Sequence, residues 1–95
     1  MISESPVVTV HIPPLLRPYV GGNEEVTASG DTVGEVFEAV SHEHPGFLSQ
    51  VLQADGSLAP GLAVYLGPTS VRNLQGMATP VAMEELVSIV STGEG

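Results

Sequence analysis

The segment that most constrains the fold is a capped amphipathic helix near the middle of the chain. Asp31 and Thr32 are both good N-cap residues, and Thr32-Val33-Gly34-Glu35 fits a capping box. In that arrangement the Thr32 hydroxyl accepts from the amide of residue 35, while Glu35 reaches back to the N–H of the cap. Pro45-Gly46 ends the helix, because the residue before a proline is driven out of the helical region. The spacing i, i+3, i+4, i+7 then places four apolar side chains on one face: Val33, Val36, Phe37 and Val40.

β-rich segments flank this helix on both sides. Two precede it, and the second is reached through Pro13-Pro14 and the turn Gly21-Gly22-Asn23. The last segment is apolar on both faces, which favours a central position in the sheet. A short helical turn is also expected over 47–52. The predicted strands cover 7–12, 24–29, 62–66, 70–74 and 86–91.

The order of these elements predicts the fold class. Two strands, a helix and further strands give an α+β protein with a mixed sheet. If the last strand is central, it lies beside the first. This is the β-grasp (ubiquitin-like) arrangement, with about four to five strands packed on one main helix. The 95 residues are enough for one domain and too few for two, so 1–95 is predicted to be a single domain. Residues 92–95 have nothing to bury and are expected to form a flexible C-terminal tail.

The charge of the chain is strongly one-sided. Eleven acidic residues face only Arg17 and Arg72, which gives a net charge of −9. Nucleic acid backbones and anionic membranes repel such a chain, so its partners are expected to present basic surfaces. No stretch approaches the ~20 apolar residues of a membrane span. The first residues also lack the features of a signal peptide, so a cytoplasmic location is expected.

No pattern of catalytic residues is visible. The chain has no cysteine, no serine in a nucleophile elbow, no phosphate-binding loop and no dinucleotide fingerprint. The carboxylate pairs Glu24-Glu25 and Glu84-Glu85 are typical of solvated turns. The sequence therefore predicts no enzyme, no catalytic side chain and no cofactor.

Two further patterns are better explained by structure than by a site. His42, Glu43 and His44 lack the i, i+4 spacing that puts two metal ligands on one helix face, and His11 is distant in sequence. No metal is therefore expected. Gly21-Gly22 resembles a diglycine tail but lies inside the chain, where a turn with positive φ accounts for it.

A series of short motifs, taken in order, resembles the bacterial ThiS/MoaD-type ubiquitin-like sulfur carriers. The similarity is closest to the cysteine-biosynthesis type, and it extends from Val7 to Val90. Its individual motifs are loose, but their order and spacing are fairly specific. They are residues 10–18, Gly21-Gly22, 30–35, His44-Pro45-Gly46, Asp55-Gly56, 71–74 with Gly76, and 86–90.

This resemblance implies a chemistry of the C-terminal backbone. In the family, an ATP-dependent adenylating and sulfurtransferase enzyme activates the C-terminal carboxylate, and sulfur then displaces AMP to leave a thiocarboxylate. A biosynthetic enzyme accepts the sulfur. By this resemblance Gly95 is the residue that would carry sulfur, and Gly93 and Glu94 belong to the tail that enters the partner.

Glu94 departs from the family pattern, which ends in Gly-Gly. Two like charges about 4 Å apart cost roughly 1 kcal/mol in water and about 4 kcal/mol at a protein-surface dielectric. Three explanations stay open: a partner that tolerates Glu94, a different native end, or a domain that no longer transfers sulfur. The alternatives to a sulfur carrier are an interaction module that docks on an enzyme without acyl transfer, and a ubiquitin-like modifier joined to a target lysine.

Overall fold

The computed structural model describes residues 6–82 and 85–92 and contains a five-stranded mixed sheet. The strands lie in the order β2-β1-β5-β3-β4, so the last strand is central, as predicted. β1 and β5 run parallel and the other neighbours run antiparallel. The bounds are β1 Val7–His11, β2 Glu25–Ser29, β3 Leu62–Leu66, β4 Thr69–Ser70 and β5 Leu86–Ser91.

The main helix, α1, spans Val33–Glu43 and begins as the capping pattern predicts. Thr32 Oγ1 accepts from the amide of Glu35 at 3.2 Å. The reciprocal bond differs from the prediction by one residue: Glu35 Oε1 accepts from the amide of Asp31, not of Thr32, at 2.9 Å. The acidic side chain therefore ties the loop before the cap to the helix. A shorter helix, α2, spans Phe47–Val51, close to the expected helical turn.

The connection between β1 and β2 is more ordered than the sequence indicated. Residues Pro14–Val20 form a 3₁₀ helix, where only a linking segment was predicted. Pro14 at its start needs no N–H partner. Gly21, with a φ of 69°, ends it in the left-handed conformation that glycine adopts without strain. Gly21-Gly22 is thus part of a turn, as predicted.

The fourth strand was predicted over 70–74, and this prediction is wrong in its extent. Only Thr69–Ser70 pair with β3, and Val71–Asn73 turn into a 3₁₀ helix. The Val71 side chain is buried in the core. An extended strand would have kept alternating its side chains across the sheet, whereas the turn directs Val71 inward and ends the pairing.

One hydrophobic core lies between the helices and the inner face of the sheet. Phe37 of α1 and Phe47 of α2 meet edge to face there, with ring centroids 5.8 Å apart. The strands contribute these fully buried side chains: Val8, Val10, Val64, Val87 and Ile89.

Among the described residues, the longest helix has eleven residues, too few to cross a bilayer.

Candidate functional site

The outer face of the sheet carries exposed apolar side chains on its β3–β5 half. Ala63 pairs with Val90 and Tyr65 pairs with Ser88, so these residues share a face. The residues between them face inward: Val64 and Ile89, which pair with each other, are buried. Tyr65, Leu86 and Val90 are 36%, 44% and 41% exposed. We call Ala63, Tyr65, Leu86 and Val90 the outer patch.

The β1–β2 half of the same face is mostly polar, with Val7 as its exposed apolar residue. His11 Nδ1 lies 3.8 Å from Glu25 Oε2, and the two residues are direct cross-strand partners. Both side chains are partly exposed. The outer face therefore has an apolar side and a side able to make polar contacts, a distribution that resembles a protein interface more than a small-molecule site.

The chain leaves the sheet at the end of β5. Ser91 is the last residue in register with β3, opposite Leu62, and the amide of Thr92 donates to the carbonyl oxygen of Gly61 at 2.9 Å. Thr92, which the sequence assigned to a flexible tail, is thus hydrogen-bonded to the residue just before the start of β3. Gly93, Glu94 and Gly95, the predicted tail and sulfur-bearing residues, lie outside the described residues.

Two exposed apolar residues lie near this exit. The 3₁₀ segment follows β1, which runs parallel to β5, so the segment lies at the end of the sheet where β5 finishes. Leu15 and Tyr19 are 61% and 41% exposed, and they line a cleft of about 210 Å³ together with Gly61 and Ser91. The point where the chain leaves the sheet is therefore flanked by apolar surface.

The residues weighed as metal ligands form no cluster. His42 and Glu43 are exposed on the last turn of α1, and His44 is the residue that ends the helix. Within 6–82 and 85–92 there is no group of three His, Cys, Asp or Glu residues arranged to hold a metal ion. Glu24 and Glu25 are exposed, as expected of surface charge, and of the second carboxylate pair only Glu85 is described.

Sequence reasoning found part of this surface and missed the rest. The alternation in β3 divides its residues into two sets without saying which faces outward, and the structure places Val64 inward and Ala63 and Tyr65 outward. The apolar character of β5 on both faces predicted its central position, but one of those faces is open to solvent. Leu15 and Tyr19 were assigned only to a connection. No periodic signal marked them, because in a 3₁₀ helix residues three apart share a face and these two are four apart.

The architecture defines the class of protein. A helix packed on a mixed sheet, with the first and last strands parallel at the centre, is the ubiquitin-like β-grasp fold. The small archaeal modifier protein 1 of Methanosarcina acetivorans has this fold, with a TM-score of 0.79 at 20% identity over 98% of this chain and 99% of that one. No family model matches the chain.

Closer relatives show the family. The chain is 34% identical over 90 residues to the sulfur carrier protein CysO of Mycobacterium tuberculosis, which covers 93% of this chain and 97% of the relative. The crystal structure of that CysO has a TM-score of 0.84 at 35% identity, over 88% of this chain and 97% of that one. The Amycolatopsis orientalis BexX/CysO complex contains a chain with a TM-score of 0.86 at 31% identity, over 93% of this chain and 98% of that one. The chain belongs to the CysO family of sulfur carrier proteins.

Proposed function

We propose that this chain carries sulfur as a thiocarboxylate on Gly95. A partner enzyme transfers AMP from ATP to the Gly95 carboxylate and releases pyrophosphate. A sulfur nucleophile then attacks the acyl carbon and AMP leaves, so the C–O bond to phosphate is replaced by a C–S bond. Adenylation is needed because a free carboxylate is a poor acyl donor. A second, biosynthetic enzyme accepts the sulfur. The observation that carries the proposal is the similarity to CysO over most of the chain.

The geometry at the end of β5 supports this role. Thr92 is bonded to Gly61, so Gly95 is three residues beyond a fixed point and about 10 Å from it when extended. That length lets the terminal carboxylate enter a partner's active site while the folded domain stays outside. Glycine at position 95 allows close approach, because it has no Cβ.

The outer patch is the surface that we expect the adenylating enzyme to bind. It includes Val90, two residues before Thr92, so a partner that covers the patch also lies beside the exit of the tail. The A. orientalis CysO is found in a complex with BexX, which illustrates an assembly of a related chain with a partner protein. The net charge of −9 favours a partner whose surface around this contact is basic.

The test is removal of Gly95 alone, with transfer and binding measured separately. The shortened chain should bind the adenylating enzyme with unchanged affinity but consume no ATP and accept no sulfur. Glu38→Gln, an exposed change on α1, serves as the control and should leave both properties intact. Continued sulfur transfer without Gly95 would overturn the proposal.

Glu94 favours one second candidate, a domain that docks on an enzyme without acyl transfer. A charged residue beside the reacting carboxylate is the feature that separates this chain from the Gly-Gly pattern. The same experiment distinguishes the two functions. An interaction module would bind its enzyme and change its activity equally with and without Gly95.

A further inference from the structure

One edge of the sheet is a regular strand that no other described strand covers. β2 is the first strand in the sheet order and pairs with β1 on one side only. The pairing runs without a bulge over all five residues, and β2 contains no proline. At the opposite edge β4 has only two residues, and the chain then turns away. Short strands, bulges and prolines commonly block an edge, so β2 is the edge left open to another strand.

Alternate residues of β2 point their backbone groups away from β1. The Ile12 amide donates to the Glu24 carbonyl oxygen at 2.8 Å, so this pair at the end of the ladder is hydrogen-bonded. Bonded and non-bonded pairs alternate in an antiparallel ladder, so Val26 and Ala28 are bonded to β1. The N–H and C=O groups of three exposed residues therefore face the open edge: Glu25, Thr27 and Ser29.

Two adjoining clefts follow this edge beside α1. Their volumes are about 430 and 270 Å³, and Thr27, Ala39 and Glu43 line both. Ala39 has no side chain beyond Cβ with which to fill the space between α1 and β2. Val26 is consequently only half-buried, whereas Val10, its partner on β1, is fully buried. We call the two clefts the β2 groove, a site with an apolar wall and unpaired strand backbone along one side.

The charge of the β2 groove indicates what it binds. Glu25 lines the larger cleft and Glu43 lines both, while neither arginine is among the residues that line them. A cationic segment would meet opposite charge on both the strand and the helix. A second copy of this chain would bring the same carboxylates against each other, and its net charge of −9 opposes such pairing.

We propose that the β2 groove binds an extended segment of a partner protein that carries lysine or arginine among small apolar side chains. The segment adds a sixth strand to the sheet and pairs with the outward backbone groups of β2. Its side chains alternate, so apolar ones contact Val26 and Ala39 while cations reach Glu25 and Glu43. The five residues of β2 span about 17 Å, which sets the length of the bound segment.

This site is separate from the outer patch. β1 lies between β2 and β5, so the spacing of strands puts the open edge about 10 Å from β5. A second protein can therefore bind the β2 groove while the outer patch is covered, and the proposal does not rest on sulfur transfer.

The test adds a blocked synthetic peptide of alternating lysine and valine, as long as β2, to the full ¹⁵N-labelled chain. NMR then measures solvent exchange at each amide. With peptide at about ten times its Kd, exchange at Glu25, Thr27 and Ser29 should slow about tenfold, because only the unbound fraction exposes these amides. The amides of Val26 and Ala28 already bond to β1 and should not change.

Matched peptides and variants separate strand pairing from simple attraction of charge. A peptide with proline in place of valine keeps the charge but cannot pair, and it should protect no amide. A peptide with glutamate in place of lysine should not bind. Glu25→Gln combined with Glu43→Gln should weaken binding of the lysine peptide about 2- to 30-fold, as expected for two exposed charge pairs. Glu38→Gln, an exposed change on α1 outside both clefts, should not.

The proposal is overturned if the lysine peptide protects no outward amide, or if outward and inward amides of β2 respond alike. Equal protection by the proline or glutamate peptide would also overturn it, as would an equal loss of binding in Glu38→Gln. Protection that rises with protein concentration in the absence of peptide would assign the edge to a second copy of the chain instead.

Discussion

Gly30 occupies a place where the chain has no room for a side chain. A Cβ at this position would lie 2.7 Å from the Val36 amide nitrogen and 2.8 Å from the Glu35 carbonyl carbon. These are backbone atoms of α1, so the clash cannot be relieved by rotating a side chain. The glycine lets the end of β2 pass directly against the first turn of the helix, and this contact fixes the helix on the sheet.

We therefore expect Gly30→Ala to lower the free energy of unfolding by about 1–3 kcal/mol, the usual cost of forcing extra atoms into a packed site. Urea denaturation measures the change. The neighbouring Ser29 is exposed, so Ser29→Ala should stay within about 0.5 kcal/mol of the unchanged protein. Equal stability of the two variants would show that the backbone contact is not tight.

Asp55 shows how a turn residue responds to pH. Its Oδ1 accepts from Ser57 Oγ at 2.6 Å and from the Ser57 amide at 3.0 Å. The hydroxyl bond first, and then the amide bond, hold the pKa of the Asp55 carboxyl below its ordinary value of 3.8. Because the folded-state pKa is the lower one, the stabilisation is present above about pH 3.8 and is lost as the pH falls through the folded-state value.

Ser57→Ala should raise the pKa of Asp55 towards 3.8, because it removes the hydroxyl hydrogen bond, which lowers this pKa more than the amide bond does. Carbon-13 NMR titration of the carboxyl group measures this directly. Ser49→Ala, which removes a serine hydroxyl bonded to the Gly46 carbonyl instead, should not move it. An unchanged Asp55 titration in Ser57→Ala would contradict the assigned cause.

At the scale of elements, α1 depends on its first turn. Thr32→Ala removes the bond from the Glu35 amide and should cost about 1 kcal/mol, which lowers the melting temperature by about 4–8 °C for a domain of this size. Thermal unfolding followed by circular dichroism checks it. Ser41→Ala, within the same helix, should change the melting temperature by less than half as much. A Thr32→Ala protein with the same melting temperature as the unchanged protein would show that the cap does not contribute to stability.

The strands allow a matched test of the outer patch. Val90 and Val7 are both exposed valines on the outer face, 41% and 50%, but only Val90 lies next to the exit of the tail. Val90→Ser should weaken binding of the adenylating enzyme about 5- to 30-fold, equivalent to about 1–2 kcal/mol, and Val7→Ser should not. Isothermal titration calorimetry compares them. Equal losses, or none, would place the partner elsewhere.

Periodic elements were predictable from sequence, and the irregular ones were not. The bounds of β3 and β5 follow from short apolar runs rich in β-branched and aromatic residues, and the start of α1 follows from its capping side chains, which are local signals. The 3₁₀ segment Pro14–Val20 depends on how Leu16 and Val20 fit the core, and the early end of β4 depends on how Val71 does. Such tertiary packing leaves little trace in a short stretch of sequence.

The candidate site was predictable only in part, for a similar reason. Gly95 came from the resemblance to sulfur carriers, since no side-chain pattern marks a reacting backbone carboxylate. The alternation of β3 separates Ala63 and Tyr65 from Val64 without saying which set faces outward, and the exposure of Leu86 and Val90 depends on whether a second layer covers β5. A strand that is apolar on both faces fits a sheet covered on one face and also a sheet covered on both.

On the scale of the whole molecule, charge and shape act together. The chain has a net charge of −9 and an apolar outer patch beside the place where its tail begins. In the function that we propose, long-range attraction would bring a basic partner to the surface, and burial of the patch would hold the two proteins together. By this proposal the fold supplies recognition, and the tail delivers the reacting group.

The central claim, that Gly95 carries sulfur, is tested most directly by mass. The chain is incubated with its adenylating enzyme, ATP and a sulfur source, and the intact mass and C-terminal fragment ions are recorded. The fragments must locate the change, because oxidation of any of the three methionines adds nearly the same mass. We predict an exchange of one oxygen for sulfur on Gly95. An unmodified Gly95 with a partner enzyme that is active on another carrier would contradict the account.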